Sequence, residues 1–571
     1  MADDLLDIAL DICKGLYSHI LANNEASLLI NSQKCMLLSQ RLLEAQETLQ
    51  TVHHKLEMTG PQSQSTLMDV LLPMKELVHE LVHVLRKAQK TVIKDCFGGE
   101  KWMESALRQG GDLKETFGEI LYDLQWLCSI LRKQVGQDSQ VLELADCDRT
   151  RCETEINTLL TAAKKDEEDL KDLLRHLQGD HVCSVWGCGR ESTCMQYLAT
   201  QLLKKLKFQS DFQARPATQK KSYHEQLDEP KLANLSAWPS VVSVSMHNLK
   251  AGRLLGKGAY GIVHEADWLG EPYAIKISNY GYKEISKCEI VALSGLHHPH
   301  IMHLVCCAEE KTKCAYIMEL MDMTLSEMLE DSDLSLVRCV DVMLQIAEGI
   351  NYLHSMDLVH RDLKPDNILV KCDHPGSEDS MSALGAEPLW IAKLSDFGTL
   401  KWSMESTAYG NQTVPIGTTM FMAPEAYELE DGDMQPERFH PKKTDVYSFG
   451  VICFCVLIGE PTPFPPAEFM KRSVKAFKGR VRRGKRPQLP PNCPNCLSGL
   501  IQQCWGGNPV NRPDFQTICT ELRFIKGCLL TGLHNNLSLQ SASARFPPNP
   551  IGGFIEGICD HSSGNPHPIT G

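Results

Sequence analysis

The first 206 residues alternate apolar and polar positions with the period of an α-helix. Apolar residues recur at steps of three and four, which places one apolar face along each helix. Two such stripes are formed by Leu5, Ile8, Ile12, Leu16 and Ile20, and by Leu77, Leu81, Val84 and Leu85. Segments rich in glycine, proline and polar residues interrupt the pattern and divide it into four or five helices. We therefore predict an all-α helical bundle over residues 1–206.

The pattern changes again further along the chain. Residues 153–177 predict a longer charged amphipathic helix that either lies against the bundle or connects it to the next domain. Residues 207–248 are polar, aperiodic and interrupted by proline, as in a linker. Short strand-like runs around glycines then begin a second domain, predicted over residues 249–529, which becomes increasingly helical. Residues 530–571 are rich in Ser, Gly and Pro and predict a disordered tail.

Length, charge and cysteine use narrow the class of protein. A chain of 571 residues is long enough for at least two cores. Its net charge of -14 argues against a general affinity for nucleic acid. The sequence shows neither an apolar run of roughly 20 residues nor a basic secretory leader. The 23 cysteines are scattered in apolar helical contexts, which favours reduced thiols in a cytosolic or nuclear compartment. We expect a cytoplasmic location.

A glycine-rich segment opens the second domain. LLGKGAYGIV has the GxGxxGxV spacing that lets a backbone turn approach phosphate oxygens, although a simple glycine turn between strands has the same pattern. Thirteen residues after Val263 stands Lys276, and thirteen further stands Glu289. A buried ammonium needs a carboxylate partner, so we predict an ion pair between Lys276 and Glu289.

Two acidic motifs complete the candidate chemistry. VHRDLKPDNILV contains Asp362, which can accept the proton of an incoming hydroxyl, and Asn367. LSDFG contains Asp396, further along the chain. The oxygens of Asn367 and Asp396 are the hard ligands that magnesium prefers.

Together with GTTMFMAPE and NRPDF, these motifs resemble the protein kinase family from Leu249 to Leu529, about half the chain. KPDN after Asp362 resembles serine/threonine kinases, and DVYSFGV resembles the tyrosine kinase-like group. The resemblance implies a bilobal domain that uses ATP and Mg²⁺ on a protein substrate, with Glu425 paired to Arg512. The predicted fold is therefore α+β: an N-terminal all-α helical bundle followed by a bilobal protein kinase domain.

The resemblance also implies roles for single residues. Lys276 would contact the phosphates of ATP, Asp362 would be the catalytic base, and Lys364 would steady the transferring phosphoryl group. Asn367 would belong to the catalytic set and, with Asp396, would hold the metal. The residues expected around the nucleotide are Leu255, Gly256, Gly258, Gly261, Val263, Ala274, Lys276, Glu289, Glu319 and Met321.

A helical bundle, a connecting helix and a C-terminal kinase-like domain together resemble the mixed-lineage kinase domain-like proteins. That resemblance implies a membrane-disrupting bundle of the HeLo type, although no sequence motif supports membrane contact. Two hypotheses are therefore open. The first is an ATP-dependent serine/threonine kinase of intracellular signalling, regulated by the bundle. The alternative is a kinase-gated scaffold or membrane-disrupting cell-death effector, in which the bundle is the output and associates with itself or with partner helices.

Two segments rich in cysteine were considered as metal sites. The histidines and cysteines of residues 176–194 fit no standard zinc spacing, and the CPNC thiols of residues 493–496 are expected to be packing groups.

The kinase resemblance also implies a role for Arg361, which directly precedes Asp362: an arginine at this position belongs to a basic pocket that binds a phosphate of the activation segment. We therefore predict that phosphorylation within residues 403–413 raises activity, although these hydroxyls could also be the polar content of a mobile loop. The candidate acceptors are Ser403, Ser406, Thr407, Tyr409 and Thr413.

Overall fold

The computed structural model describes most of both predicted domains. The described residues are 2–25, 31–58, 64–96, 112–135, 149–177, 199–200, 202–207, 242–244, 246, 249–258, 261–268, 271–278, 289–290, 293–310, 313–373, 389–397, 401–402, 419–430, 439–464 and 474–531.

The N-terminal region is a bundle of long helices. Their bounds are α1 Ala2–Glu25, α2 Ser32–Met58, α3 Gln64–Asp95, α4 Asp112–Val135 and α5 Arg149–Leu177. Helices α1 and α4 each pack against both α2 and α3, so these four helices enclose one core. The core contains the leucines of both predicted stripes, and Ile8 and Ile12 pack partly buried at its edge. The predicted bundle is confirmed.

Helix α5 is the charged helix predicted from the sequence, and it contacts both domains. Its Asp166 accepts the backbone N–H groups of Gln33 and Lys34 at 2.9 and 3.1 Å, and so caps the first turn of α2. Further along α5, Leu170 and Leu174 pack in a cluster with the second domain's sheet. The helix therefore both lies against the bundle and connects it to the next domain.

The second domain begins with an antiparallel sheet in the order β1-β2-β3-β5-β4. Its strands are β1 Lys250–Lys257, β2 Gly261–Trp268, β3 Glu271–Ser278, β4 Leu304–Glu309 and β5 Cys314–Glu319. Residues 242–244, inside the range predicted as linker, pair with Cys307 of β4 through backbone hydrogen bonds of 2.7 and 2.8 Å.

A larger, mostly helical lobe comes after the sheet. Its elements are β6 Met323–Thr324, α6 Leu325–Asp331, α7 Leu336–Ser355, β7 Leu358–Val359, β8 Ile368–Asp373, β9 Leu389–Leu394, β10 Lys401–Trp402, α8 Pro424–Glu430, α9 Pro441–Ile458, α10 Val474–Arg482, α11 Asn495–Cys504 and α12 Phe515–Leu530. The all-buried middle of α9 fits the apolar run VICFCVLIG. Two lobes after a helical bundle confirm the predicted fold class.

The bundle and the large lobe share apolar surface. Leu530, at the end of α12, belongs to the bundle core, and Val337 of α7 packs against that core. Gly527 lets α12 approach α4 closely, because a Cβ at this position would lie 3.2 Å from the ring of Trp126. In the described part of the chain, no helix has the length and apolar content needed to cross a membrane.

Candidate active site

The glycine-rich segment forms the hairpin between β1 and β2. The amide of Gly258 donates to the carbonyl of Gly261 at 2.9 Å, which closes the turn. A Cβ on Gly261 would lie 2.6 Å from the backbone oxygen of Ile277, so this position requires glycine, whereas Gly256 has open space around it. Leu255 on β1 is 38% exposed, and Gly256 is the next residue of the strand. An exposed leucine here could cover a flat apolar ligand.

Lys276 lies on β3, where it pairs in register with Val263 of β2 and Tyr316 of β5. Its ammonium donates to both carboxylate oxygens of Glu289, at 3.0 and 2.9 Å. The predicted ion pair is therefore present in the structure. Burial, with the nearby Glu289 carboxylate, raises the pKa of Tyr316 well above its usual value, so Tyr316 adds no charge beside Lys276.

The loop after β7 gathers the polar residues of VHRDLKPDNILV. Lys364 Nζ donates to Asp362 Oδ2 at 2.9 Å. Asn367 Nδ2 donates to the same oxygen at 2.9 Å and to the backbone carbonyl of Asp362 at 2.7 Å. Asp362 Oδ1 is buried and has no hydrogen-bond partner among the described residues. Lys364 and Asn367 thus hold the Asp362 carboxylate in one orientation through Oδ2.

Asp396 lies just after β9 and close to Lys276. Its Oδ1 lies 3.8 Å from Lys276 Nζ. The backbone links the two segments, because Ser395 N–H donates to the carbonyl of Asn367 at 2.9 Å. Both N–H groups of the Asn367 amide can be used by Asp362, so the amide oxygen remains an acceptor. Asn367 and Asp396 therefore supply oxygen atoms of the type that suits a magnesium ion.

A buried aspartate of α9 sets the conformation of the catalytic loop. Asp445 accepts the backbone N–H groups of His360 and Arg361, each at 2.9 Å. Arg361 has a φ of 71° and Asp396 one of 59°, left-handed values that cost energy in a non-glycine residue. Asp445 belongs to DVYSFGV, but sequence reasoning assigned it no role. The available signal was a carboxylate directly before the apolar part of α9.

The strand β5 ends where the two lobes join. Ala274 on β3 is paired with Met318 of β5, and Glu319 is the last residue of β5. The Glu319 carboxylate accepts from Lys393 at 2.7 Å, so this side chain is occupied by protein. Met321 lies two residues further on, partly buried against the large core. The backbone N–H of Glu319 also donates to the carbonyl of His303, at 3.4 Å. The roles of Ala274, Glu319 and Met321 beside the nucleotide remain predictions.

Two other predicted features have structural outcomes. Arg512 and Glu425 form a buried bidentate ion pair of 2.5 and 2.9 Å, as predicted. In CPNC, burial raises the pKa of Cys493 to about 11 and also raises the pKa of Cys496, so neither thiol is activated at neutral pH.

Several sequence predictions fall outside the described residues. They concern Gly398 of DFG, the five candidate phosphate acceptors of residues 403–413, and residues 532–571 of the predicted tail. The same holds for residues 178–198, which contain most of the histidine and cysteine cluster. These remain predictions.

The motifs and their geometry agree with a comparison to known families. Residues 249–522 match the sequence model of the protein tyrosine and serine/threonine kinase family. The chain contains a protein kinase domain. Members of this family use ATP and Mg²⁺, for which the oxygens of Asn367 and Asp396 are suited.

Individual relatives match the kinase domain. A light-sensor protein kinase of Ceratodon purpureus is 39% identical over 296 residues, which are 49% of this chain and 22% of the relative. The serine/threonine/tyrosine-protein kinase HT1 of Arabidopsis thaliana is 32% identical over 252 residues, 43% of this chain and 56% of the relative. The chain thus matches less than two thirds of the length of either relative.

A solved structure extends the similarity of fold beyond the kinase domain. A chain of the AtMLKL3 tetramer, determined by cryo-electron microscopy, matches with a TM-score of 0.59 and 21% identity. The match covers 97% of each chain. The helical bundle and the kinase domain are therefore both included in the shared fold.

A second group of charged residues lies between the bundle and the large lobe of the kinase domain. Glu80 of α3 pairs with Arg338 of α7 at 2.8 Å and with Lys526 of α12 at 2.6 Å. Burial opposes ionisation of Glu80, yet Arg338 and Lys526 hold its pKa well below the usual value. Burial raises the pKa of Asp123 in α4 to about 6. Sequence reasoning missed this group because its members are far apart in the chain.

Proposed function

We propose that the chain is an ATP-dependent serine/threonine protein kinase. One observation supports the proposal most directly. Lys276 is paired with Glu289 and also lies 3.8 Å from Asp396. In kinases both the lysine–glutamate pair and the metal-binding aspartate must be in place for phosphoryl transfer. The names of the relatives support the same activity.

The proposed roles depend on the geometry of each group. Lys276 neutralises charge on the phosphates of ATP, and the oxygens of Asn367 and Asp396 hold Mg²⁺. Asp362 accepts the proton of the substrate hydroxyl, and Lys364 and Asn367 hold its carboxylate in place. Lys364 is close enough to Asp362 to stabilise the phosphoryl group during transfer. A lysine at this position favours serine and threonine as acceptors.

A direct assay tests this proposal. The full chain is incubated with ATP, Mg²⁺ and a generic protein substrate, and phosphoserine, phosphothreonine and phosphotyrosine are quantified by mass spectrometry. We expect phosphate on serine and threonine. Lys276→Met and Asp362→Asn should each lower the rate by at least about 100-fold, because each removes a group used for charge neutralisation or proton transfer.

Lys475→Met is the matched control, since Lys475 is an exposed lysine of α10. It should retain the wild-type rate. Equal phosphate incorporation by the wild type, Lys276→Met and Asp362→Asn would contradict the proposed activity.

We further propose that the helical bundle restrains this kinase domain. The bundle core includes Leu530 of the large lobe, while Leu170 and Leu174 of α5 pack against the small-lobe sheet. Kinases open and close their two lobes during turnover. Contacts with both lobes would resist that motion.

Weakening the contact with the large lobe should therefore raise the kinase rate. Trp126→Ala removes the ring that packs on Gly527 of α12, whereas Glu76→Gln changes an exposed residue of α3 and serves as control. Increased hydrogen exchange at α12 in Trp126→Ala would show that the contact has loosened. If the kinase rate of that variant is nevertheless unchanged, the bundle does not restrain the kinase domain.

A second function is favoured by the shared fold over the whole chain. The solved relative of similar fold is a tetramer, and we propose that this chain also associates with itself through its bundle, with or without action on membranes. Mass photometry of the full chain with and without ATP measures assembly, and dye release from anionic vesicles measures membrane damage. A monomer under every condition, without dye release, would exclude this second function.

A further inference from the structure

A histidine and two glutamates meet in the cavity between the bundle and the kinase domain. Glu119 lies on α4, Glu348 on α7, and His300 in the segment before β4. His300 Nε2 is 3.6 Å from Glu119 Oε1 and 3.6 Å from Glu348 Oε2. The side chain of His300 is 5% exposed, that of Glu119 is 9% exposed and that of Glu348 is 13% exposed.

The tautomer of His300 is fixed by its other ring nitrogen. Nδ1 lies 2.9 Å from the carbonyl oxygen of Ala392, which can only accept, so Nδ1 carries the proton. Nε2 therefore presents a lone pair to the two carboxylate oxygens. At 3.6 Å these contacts are longer than hydrogen bonds.

Each carboxylate is also oriented by a cation on its far side. Lys87 donates to Glu119 Oε2 at 2.7 Å, and Arg523 donates to Glu348 Oε1. One oxygen of each glutamate is thus held, while the other faces His300. Metal-binding histidines and carboxylates are typically fixed in this way by hydrogen bonds from a second set of residues.

The spacing and the available room suit a tetrahedral ion. The three ligand atoms lie within 4.8 Å of one another. Ligands bound to tetrahedral zinc at about 2.0–2.1 Å are roughly 3.3 Å apart. The two distances from His300 would therefore shorten by about 0.3 Å, and the distance between the two carboxylate oxygens by at most about 1.5 Å. All three residues line a cavity of about 380 Å³, which has space for a water molecule as fourth ligand.

We propose that Glu119, His300 and Glu348 bind a divalent transition-metal ion, with zinc as the probe, and that this ion ties the bundle to the kinase domain. One imidazole and two carboxylates form a donor set that zinc accepts. Since Glu119 comes from the bundle and the other two ligands from the kinase domain, an occupied site stabilises their contact. The proposal is independent of kinase activity.

Zinc binding by the full chain tests the proposal. The protein is treated with chelator, desalted and titrated with Zn²⁺ against a chromophoric competitor under reducing conditions, and its melting temperature is recorded with and without Zn²⁺. We expect one equivalent to bind at this site and to raise the melting temperature. Glu119→Gln, Glu348→Gln and His300→Asn should each weaken that equivalent by at least about 10-fold and abolish the thermal shift.

Asp123→Asn is the matched control, because Asp123 also lines the cavity and lies one helical turn after Glu119. It should keep the wild-type affinity within about threefold. Because the three ligand substitutions lie in different parts of the fold, the test can still be made if one variant fails to fold. Zinc binding and a thermal shift unchanged in all correctly folded ligand variants would overturn the proposal, as would a loss in Asp123→Asn equal to that in Glu119→Gln.

Discussion

Glu80 and Arg338 are separated by 258 residues in the chain, yet they form a buried ion pair of 2.8 Å. The pair joins α3 of the bundle to α7 of the kinase domain. Lys526 adds a second cation to Glu80, and Asp341 accepts from the same lysine at 2.6 Å. Charges removed from water in this way are stable only while each retains its partners.

Neutralising Glu80 should therefore loosen the contact between bundle and kinase domain. In Glu80→Gln, Arg338 and Lys526 stay buried and keep Asp341 as a carboxylate partner. Loss of one partner of a buried ion pair lowers the free energy of unfolding by about 3–5 kcal/mol. We expect a lower melting temperature and faster hydrogen exchange in α3 and α12. The exposed Glu76→Gln on the same helix should change neither, and equal stability of the two variants would show that the pair contributes nothing.

The sequence predicted the site better than it predicted the contact between domains. Lys276, Glu289, Asp362 and Asp396 belong to motifs whose spacing is set by local strands and loops, so their convergence could be expected. The stripes of α1 and α3 likewise carried the period of a buried helix face. Glu80 has no such signal, because an isolated acidic residue on a helix usually faces water.

The two glycines at the β1–β2 hairpin should respond differently to a methyl group. A Cβ on Gly261 would lie 2.6 Å from the Ile277 carbonyl oxygen, a backbone atom that can move only with β3. Gly261→Ala should therefore lower the melting temperature of the ligand-free protein and displace Lys276, which precedes Ile277 on that strand. Gly256→Ala, with open space around the new methyl, is the control. A melting temperature for Gly261→Ala equal to that of Gly256→Ala would contradict the packing described for this turn.

Asp123 should make stability depend on pH. Burial raises its pKa from 3.8 to about 6, so the folded state binds the proton more tightly than the unfolded state. Asp123 therefore lowers the free energy of unfolding progressively as the pH rises from about 4 through 6. Well above pH 6 the loss reaches its full value of about 3 kcal/mol.

Asp123→Asn removes that dependence. Between about pH 5 and pH 8 the variant should gain about 1.4 kcal/mol in free energy of unfolding relative to wild type, measured by urea titration at both pH values. A constant difference between the two proteins across this range would show that Asp123 is ionised as easily in the folded state as in water.

Glu289→Gln tests whether the charge of Lys276 is positioned by its partner. Lys276 Nζ lies 2.9 and 3.0 Å from the Glu289 oxygens and 3.8 Å from Asp396 Oδ1, so the ammonium is held between two carboxylates. With glutamine at position 289, we expect the ammonium to move toward Asp396 and away from the phosphates of ATP. Misplacement of a catalytic group by about 1 Å can cost about 100-fold in rate, and kcat/KM for ATP should fall by roughly that factor.

The fold of Glu289→Gln should persist, because glutamine has the same shape and can still accept a hydrogen bond from Lys276. A kcat/KM within about threefold of wild type, in protein with an unchanged melting temperature, would mean that Lys276 reaches the nucleotide without help from Glu289.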